Sequence, residues 1–447
     1  MKLSEHPTAK KYLKEKVELP GQMKLEKLDP EWIKGIVMDA GADDVGVASI
    51  ESPELAEYRS RILTLMPEAK TCVSVICRMN PYNVRSPYRQ QYELEYHHMY
   101  EEVDQVARRA AVKLIDQGIL AMNTTSSYPM NMENWPDTGM WWVAHKPVAI
   151  ASGRGRMGIS HLVVHPRFGA SLALTSILIA RELTSYDQPL DYDPCVKCML
   201  CVTTCPVGAL NADGHYNSIA CCTHSYRDKY GGFTNWVENI IESKDVLSYR
   251  SRVSDQETVL MWQAMAVGTS FKCTNCMAVC PGGEDLIGPY IDGQKEFANA
   301  VAKPLQERKE TVYVVKGSDA DAYVRKRYPH KPVKYVGNGV RPASAAAFLD
   351  NLHILFQREA SKGLAATYHF SFTGAETLDG TVVVRDKSVD VKRGLHGSPD
   401  LRIDADSRTW VKIVCKEKNP LAALLMRKIR LKGRLALFKA FARCFPS

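Results

Sequence analysis

The sequence predicts a mixed α/β (α+β) protein built from several domains, and three observations carry that expectation. Helical and strand periodicities alternate between residues 31 and 123. Seven of the thirteen cysteines fall in two short runs, CVKCMLCVTTCP at 195–206 and CTNCMAVCP at 273–281. Beyond residue 365 apolar and polar residues alternate as antiparallel hairpins require. At 447 residues the chain has room for roughly two to four domains, each able to bury a core.

The elements follow in order. EWIKGIVMDAGADDVGVASI (31–50) reads as a helix passing through glycine into a short strand, and AKTCVSVICRM (69–79) as a buried β-branched strand. YELEYHHMYEEVDQVARRAAVKLIDQG (92–118) has helical apolar spacing and stops at Gly118, after which ILAMN reads as a strand. Such alternation builds layers of α and β. The polar, aromatic loop TTSSYPMNMENWPDTGMWW has no period, and KPVAIASGRGRMGISHLVVHPRFGASLAL (146–174) resumes with a short helix, a glycine-rich turn and a strand at LVVH. The cysteine region occupies about 190–290. Next come a strand candidate, ETVYVVKG, and a Pro/Lys-rich stretch, RYPHKPVKYVGNGVRP, which reads as a linker. The end combines hairpins, the segment LRIDADSRTWVKIV and an amphipathic finish, NPLAALLMRKIRLKGRLALFKAFARCF. The expected divisions are 1–190, 191–290, 291–345 and 346–447.

Charge is unevenly placed. From Asn351 onward 18 Lys and Arg face 9 Asp and Glu, whereas the first 350 residues carry 40 against 41. A uniformly basic nucleic-acid binder is disfavoured, and the basic character belongs to the C-terminal part. The start has neither an apolar h-region nor a twin arginine, and no run approaches about 18 consecutive apolar residues. The chain is therefore expected to be cytoplasmic, with no transmembrane span.

The run Cys195, Cys198, Cys201, Cys205, Pro206 has the spacing of two-cluster ferredoxins, in which three thiolates grip one cubane and the fourth reaches the other. The second motif works reciprocally: Cys273 and Cys276 hold cluster two, and Cys280 returns to cluster one. Cluster two then lacks a fourth ligand. The unassigned cysteines between the motifs are Cys221 and Cys222, so one of them supplies it. Two zinc sites are the alternative. Clustered thiols of this kind suit metal thiolates in a reducing compartment, and Cys72, Cys77, Cys415 and Cys444 read as small buried hydrophobes.

GADDVGVASI, then GRGRMGISHLVVHPRFGASLAL ahead of the clusters, resemble the corrinoid-dependent epoxyqueuosine reductases and reductive dehalogenases, as does the missing cysteine of the second motif. The resemblance spans about residues 31–290. It implies a nitroreductase-like core holding cobalamin base-off beside a ferredoxin-like domain with two 4Fe-4S clusters. Carried over by position, Gly153, Gly155 and Gly158 form the glycine turn, where the backbone could approach the corrin without a β-carbon. Ile159 and Ser160 stand where the family more often has Lys-Asn or Arg-Asn. His161 and His165 are near enough to touch the cofactor, or are structural. DGHYNS at 213–218 lacks the last glycine of DxHxxG, so a histidine-ligated corrinoid is not indicated. Matched to the family's short segment before its ligand, NSIA favours Cys221 over Cys222.

Reduction at a carbon centre needs an acid. In the epoxyqueuosine enzymes this is an aspartate just beyond the strand that ILAMN resembles, but Asn123 and Thr124 stand there. In reductive dehalogenases it is a tyrosine supported by a basic residue. Tyr128 is thus the first candidate, Asp137 the second and His145 the third, with Trp135, Trp141 and Trp142 expected around an apolar substrate or in the core.

YHFSFTG…GTVVVRDKSVDVKRG, DLRIDADSRTWVKIV and NPLAALLMRKIRLKGRLALFKAF resemble a sterol carrier protein 2 (SCP2) domain, which implies an apolar tunnel for lipids. The amphipathic end reads either as packing with a solvated basic face or as contact with an anionic membrane or a tunnel lid. The leading expectation is a cobalamin-dependent, reductive dehalogenase-like reductase of an apolar organic substrate or lipid, fed by reduced ferredoxin or flavodoxin. The alternatives are an epoxyqueuosine-type tRNA reductase, disfavoured by charge and the lost aspartate, and a corrinoid-free electron-transfer or lipid-binding protein.

Overall fold

The computed structural model describes residues 2–15, 27–134, 140–268 and 271–446. Its first sheet draws on β1 (Asp44–Ser49), β2 (Thr71–Arg78), β3 (Ala121–Asn123) and, after the short β4 (Arg156–Met157) and β5 (Val163–Val164), β6 (Leu172–Ile179). The order is β1-β2-β6-β3, antiparallel throughout. Along β2 the side chains alternate between two buried faces. Val73, Val75 and Cys77 join the core beneath the helices Pro30–Asp39 and Arg89–Asp116, while Cys72 packs with Ile62 and Val148 from the helices Arg59–Leu65 and His145–Ala151. A strand covered on both faces needs no polar side, which explains why CVSVIC is apolar on both faces except at the buried Ser74.

LVVH, expected as a full strand, contributes only the two residues of β5 in a hairpin with β4. The long central strand lies just beyond it. LALTSILI is apolar enough to be buried on both faces, whereas the loop HPRFG ends β5 by turning back on itself through the His165–Gly169 bridge.

Helices dominate the cysteine region, among them Leu200–Thr204, Ser218–Ser225, Tyr230–Ile241 and Asp255–Val267. The last is started by a capping box in which Ser254 and Glu257 satisfy each other's backbone N–H groups. The stretch expected as a linker, residues 327–342, contains a short strand. β7 (Val312–Val314) and β8 (Val333–Tyr335) pair in parallel around the helix Asp319–Arg327. Pro332 precedes β8, where no ladder donor is required, and the buried Lys331 ammonium pairs with Glu310 at 2.9 Å.

The C-terminal part is a five-stranded sheet of β9 (Ala365–Thr373), β10 (Leu378–Arg385), β11 (Ser388–Arg393), β12 (Leu401–Asp406) and β13 (Ile429–Gly433), in the order β11-β10-β9-β12-β13. Only β9 and β12 pair in parallel. Between this sheet and its helices Phe348, Phe370, Phe372, Trp410 and Phe441 pack ring against ring, with centroids 5.3–6.5 Å apart. These rings line the space between sheet and helices where the resemblance implies an apolar tunnel. The architecture is the mixed α and β class that the sequence predicts. Among the described residues no helix is long and apolar enough to cross a membrane.

Candidate iron–sulfur centres and the adjoining cavity

The first cysteine run is a tight loop. Lys197 and Met199 take left-handed backbone angles (φ 51° and 61°), an arrangement uncommon for residues with a β-carbon and typical of loops that turn polar groups inward. Cys195, Cys198 and Cys201 line a small cavity together with Cys280, returned from the second motif. A docked backbone holds Cys280. Gly169 of HPRFG has φ 62°, and a β-carbon there would lie 1.8 Å from the Gly282 carbonyl oxygen. Glu284 N–H donates to the Pro166 carbonyl at 2.8 Å.

Cys205, Cys221, Cys273 and Cys276 line a second cavity of about 110 Å³. Cys276 belongs to both walls, so the two chambers adjoin. Cys221 and Cys222 are consecutive on the helix Ser218–Ser225, hence about 100° apart around its axis. The structure turns Cys221 toward the other three cysteines. Cys222 faces a separate small space beside Arg227, Gly231 and Asn338. Burial, then the neighbouring Cys222 thiol, pushes the Cys221 thiol up to about 12. Among the described residues no three His, Cys, Asp or Glu groups converge as the ligands of one ion do. Thiols ranged around a chamber fit a cluster with volume of its own better than zinc, whose sulfurs lie about 2.3 Å from the metal.

The second chamber also has walls that the sequence did not flag. His224 is buried, and burial lowers its pKa to about 4, so the ring is neutral. Its Nδ1 accepts the Tyr313 N–H at 3.4 Å, which places the ring proton on Nε2, a position suited to a sulfur acceptor. Lys146 lines the same wall and donates to the His161 carbonyl at 2.6 Å.

The residues expected to cradle a corrinoid are engaged with the protein itself. A β-carbon on Gly153 would lie 2.3 Å from the Gln188 carbonyl oxygen, one on Gly155 2.5 Å from Val163 and one on Gly158 2.7 Å from Val164. These glycines serve the packing of the turn. His165 is buried, bonds Asp44 through Nε2 at 2.8 Å, and accepts the Arg167 and Phe168 N–H groups through Nδ1. It is a structural histidine. His161 stacks on Tyr216, bonds the Gly214 carbonyl at 2.7 Å and lines the cysteine chamber. Ile159 and Ser160 line the first cysteine cavity. This set does not fit a corrin cradle.

A third cavity, of about 510 Å³, lies beyond Phe271, which walls both it and the second chamber. Its lining includes Tyr100, Asp104, Tyr128, Lys229, Phe233 and Met265. Tyr128 is therefore at a small-molecule-sized space, for which about 300–1,000 Å³ is usual. The Lys229 ammonium sits 3.7 Å from the centre of the Tyr128 ring and 5.0 Å from that of Phe271. Burial lowers its pKa to about 8, partly offset by Glu93. Asp104, absent from the sequence-based candidates, accepts the Ser126 N–H at 2.8 Å, and burial raises its carboxyl pKa.

Two other acid candidates fare differently. His145 donates from Nε2 to the Thr125 carbonyl at 2.8 Å and bonds Ser176 through Nδ1 at 2.9 Å, and burial holds its pKa near 4. It is a neutral brace, not a proton donor. Asp137 lies outside the described residues, as does Trp135. The Trp141 indole donates to the Ser127 carbonyl at 2.7 Å and Trp142 is largely exposed, so the aromatic lining of the cavity comes from Tyr100, Phe233 and Phe271 instead.

Comparison with known proteins finds two matching domains and relatives that cover part of the chain. Residues 189–211 match the 4Fe-4S binding domain and residues 353–446 the SCP-2 sterol transfer family. The chain is 23% identical over 218 residues to epoxyqueuosine reductase of Lactococcus garvieae (strain Lg2), covering 47% of this chain and 53% of that protein. It is 32% identical over 104 residues to epoxyqueuosine reductase of Staphylococcus aureus (strain NCTC 8325 / PS 47), covering 23% and 26%. A catabolic reductive dehalogenase structure aligns at 16% identity and a TM-score of 0.38, covering 64% of this chain and 38% of that one. The chain thus spans about half the length of the first curated relative and about a quarter of the second. It carries a 4Fe-4S binding domain match and an SCP2 match, and over part of its length it is similar to epoxyqueuosine reductases.

Proposed function

We propose that the chain is an iron–sulfur reductase of a small, largely apolar organic substrate bound in the cavity beside Tyr128. The observation that carries this reading is adjacency: the two cysteine chambers share Cys276 as a wall, and the second shares Phe271 with the cavity. Cys195, Cys198, Cys201 and Cys280 would hold one 4Fe-4S cluster, and Cys205, Cys221, Cys273 and Cys276 the other. When bound, such clusters supply one-electron transfer, and a reduced ferredoxin or flavodoxin is the class of donor this requires.

The chain's own residues supply the rest. Phe233, Phe271, Tyr100 and Met265 offer apolar and aromatic contact, which favours an uncharged, ring-bearing or hydrocarbon substrate. Reductive removal of a group from carbon consumes two electrons and one proton, and releases the group as an anion. Tyr128, which lines the cavity, would give that proton. The Lys229 ammonium lies over the Tyr128 ring and brings a positive charge beside the proposed donor. Asp104 is a second acid on the same wall. Cobalamin, which the resemblance implies, finds no cradle in Gly153, Gly155, Gly158, His161 and His165, and no step here passes through it.

The test is anaerobic reconstitution with iron and sulfide, followed by assay with a reduced ferredoxin and a panel of halogenated phenols. Tyr128→Phe should cut turnover at least about 100-fold, as loss of a general acid does, with cluster absorbance unchanged. Full turnover in Tyr128→Phe would remove Tyr128 from its role. Corrinoid absorbance retained after desalting would restore the cobalamin-dependent reading. A second reading, an epoxyqueuosine-type enzyme acting on tRNA, is favoured by the curated relatives. Turnover of epoxyqueuosine-containing tRNA with none of the phenols would establish it.

A further inference from the structure

The apolar residues near the C-terminal end divide by face. Ala423, Ile429, Leu437 and Phe441 are buried in the C-terminal core. Leu421, Leu425, Met426 and Leu435 are instead 68%, 86%, 65% and 61% exposed. Leu421 and Leu425 lie one turn apart on the helix Pro420–Leu425, hence on one face, and Met426 follows at its cap. Residues 407–446 contain eleven Lys and Arg but a single acid, Glu417. Arg427, Lys428, Arg430, Lys432 and Arg434 are all exposed. Arg430 and Lys432 alternate on β13 and so point to one side of this edge strand. Asp404 lies 4.0 Å from Lys432, which leaves the patch strongly positive.

Single exposed leucines are ordinary on a protein surface, but several set among cations are the pattern of an interfacial segment. Apolar side chains enter the acyl boundary while Lys and Arg meet anionic headgroups. Nucleic acid would account for the charge but not for the leucines, because bases stack on aromatic rings and arginine planes. From the charge and the outward leucines we propose that this face is a peripheral docking surface for an anionic lipid membrane. The inference is independent of the cluster and cavity reading. It would hold the chain where apolar molecules are dissolved.

The experiment is flotation of the full chain with vesicles of phosphatidylcholine alone or with phosphatidylserine added. The chain should float with the phosphatidylserine vesicles only, and less so as salt is raised. The double variant Leu421→Gln/Leu425→Gln should bind at least about tenfold more weakly. Both side chains are exposed, so its circular dichroism should match that of the parent, and an Arg427→Gln/Lys428→Gln variant should weaken binding in parallel. Equal binding to both vesicle types, or undiminished binding by the leucine variant, would overturn the proposal. So would tRNA binding that depends on Arg427 and Lys428 without any vesicle binding, which would assign the patch to nucleic acid.

Discussion

Lys229 brings its ammonium to 3.7 Å from the centre of the Tyr128 ring, in a wall that also holds Phe271. Burial disfavours the charge and lowers the pKa to about 8, so the side chain is cationic at neutral pH and loses its proton just above it. If the cation supports proton donation by Tyr128, turnover should fall as pH rises through about 8. Lys229→Arg should carry activity to higher pH, because a guanidinium keeps its charge, whereas Lys229→Met should be slow at every pH. Identical pH profiles for the parent and the arginine variant would dissociate Lys229 from the reaction. The sequence offered Tyr128 as a candidate from its place in the loop directly after the strand at ILAMN, but it offered neither Lys229 nor Phe271. They reach the same cavity from distant segments, and no local spacing encodes such a meeting. Asp104 was hidden in the same way, on a helix whose apolar periodicity drew attention to its other face.

At the scale of elements, the loop HPRFG is explained by what docks on it. Gly169 and Gly283 meet backbone to backbone, a β-carbon on Gly283 lying 2.3 Å from Gly169 N. The contact joins the core sheet to the segment that carries Cys280. Gly169→Ala would combine a left-handed φ with a collision against a carbonyl, a cost of about 2 kcal/mol or more. It should lower the melting temperature and loosen Cys280, so that the first cluster is lost before the second during air exposure. Parent-like stability and cluster lifetime would show that the docking is dispensable. The sequence made the strands of the first sheet legible because their runs are long and apolar. It made the strand at LVVH longer than the two residues of β5 and found β7 in ETVYVVKG, but it left β8 inside a Pro/Lys-rich stretch, since so short a strand is fixed by its partner and not by its own pattern.

At the scale of the whole molecule, the first 350 residues are nearly neutral and the remainder is basic, and the C-terminal sheet has a core cluster separate from that of the first sheet. The cysteines were legible by spacing alone, because a cubane requires several thiolates at fixed short intervals. The preference for Cys221 over Cys222 came from the resemblance at NSIA and not from cysteine spacing, because neighbours in sequence differ only in which way a helix turns them. That choice is where the account is most exposed, and iron content after anaerobic reconstitution addresses it directly. The parent should hold about eight irons per chain, Cys222→Ala the same, and Cys221→Ala about four, with one set of cluster signals gone from the reduced spectrum. A parent with about four irons, or a Cys221→Ala chain that keeps about eight, would contradict the two-cluster relay on which the proposed reductase rests.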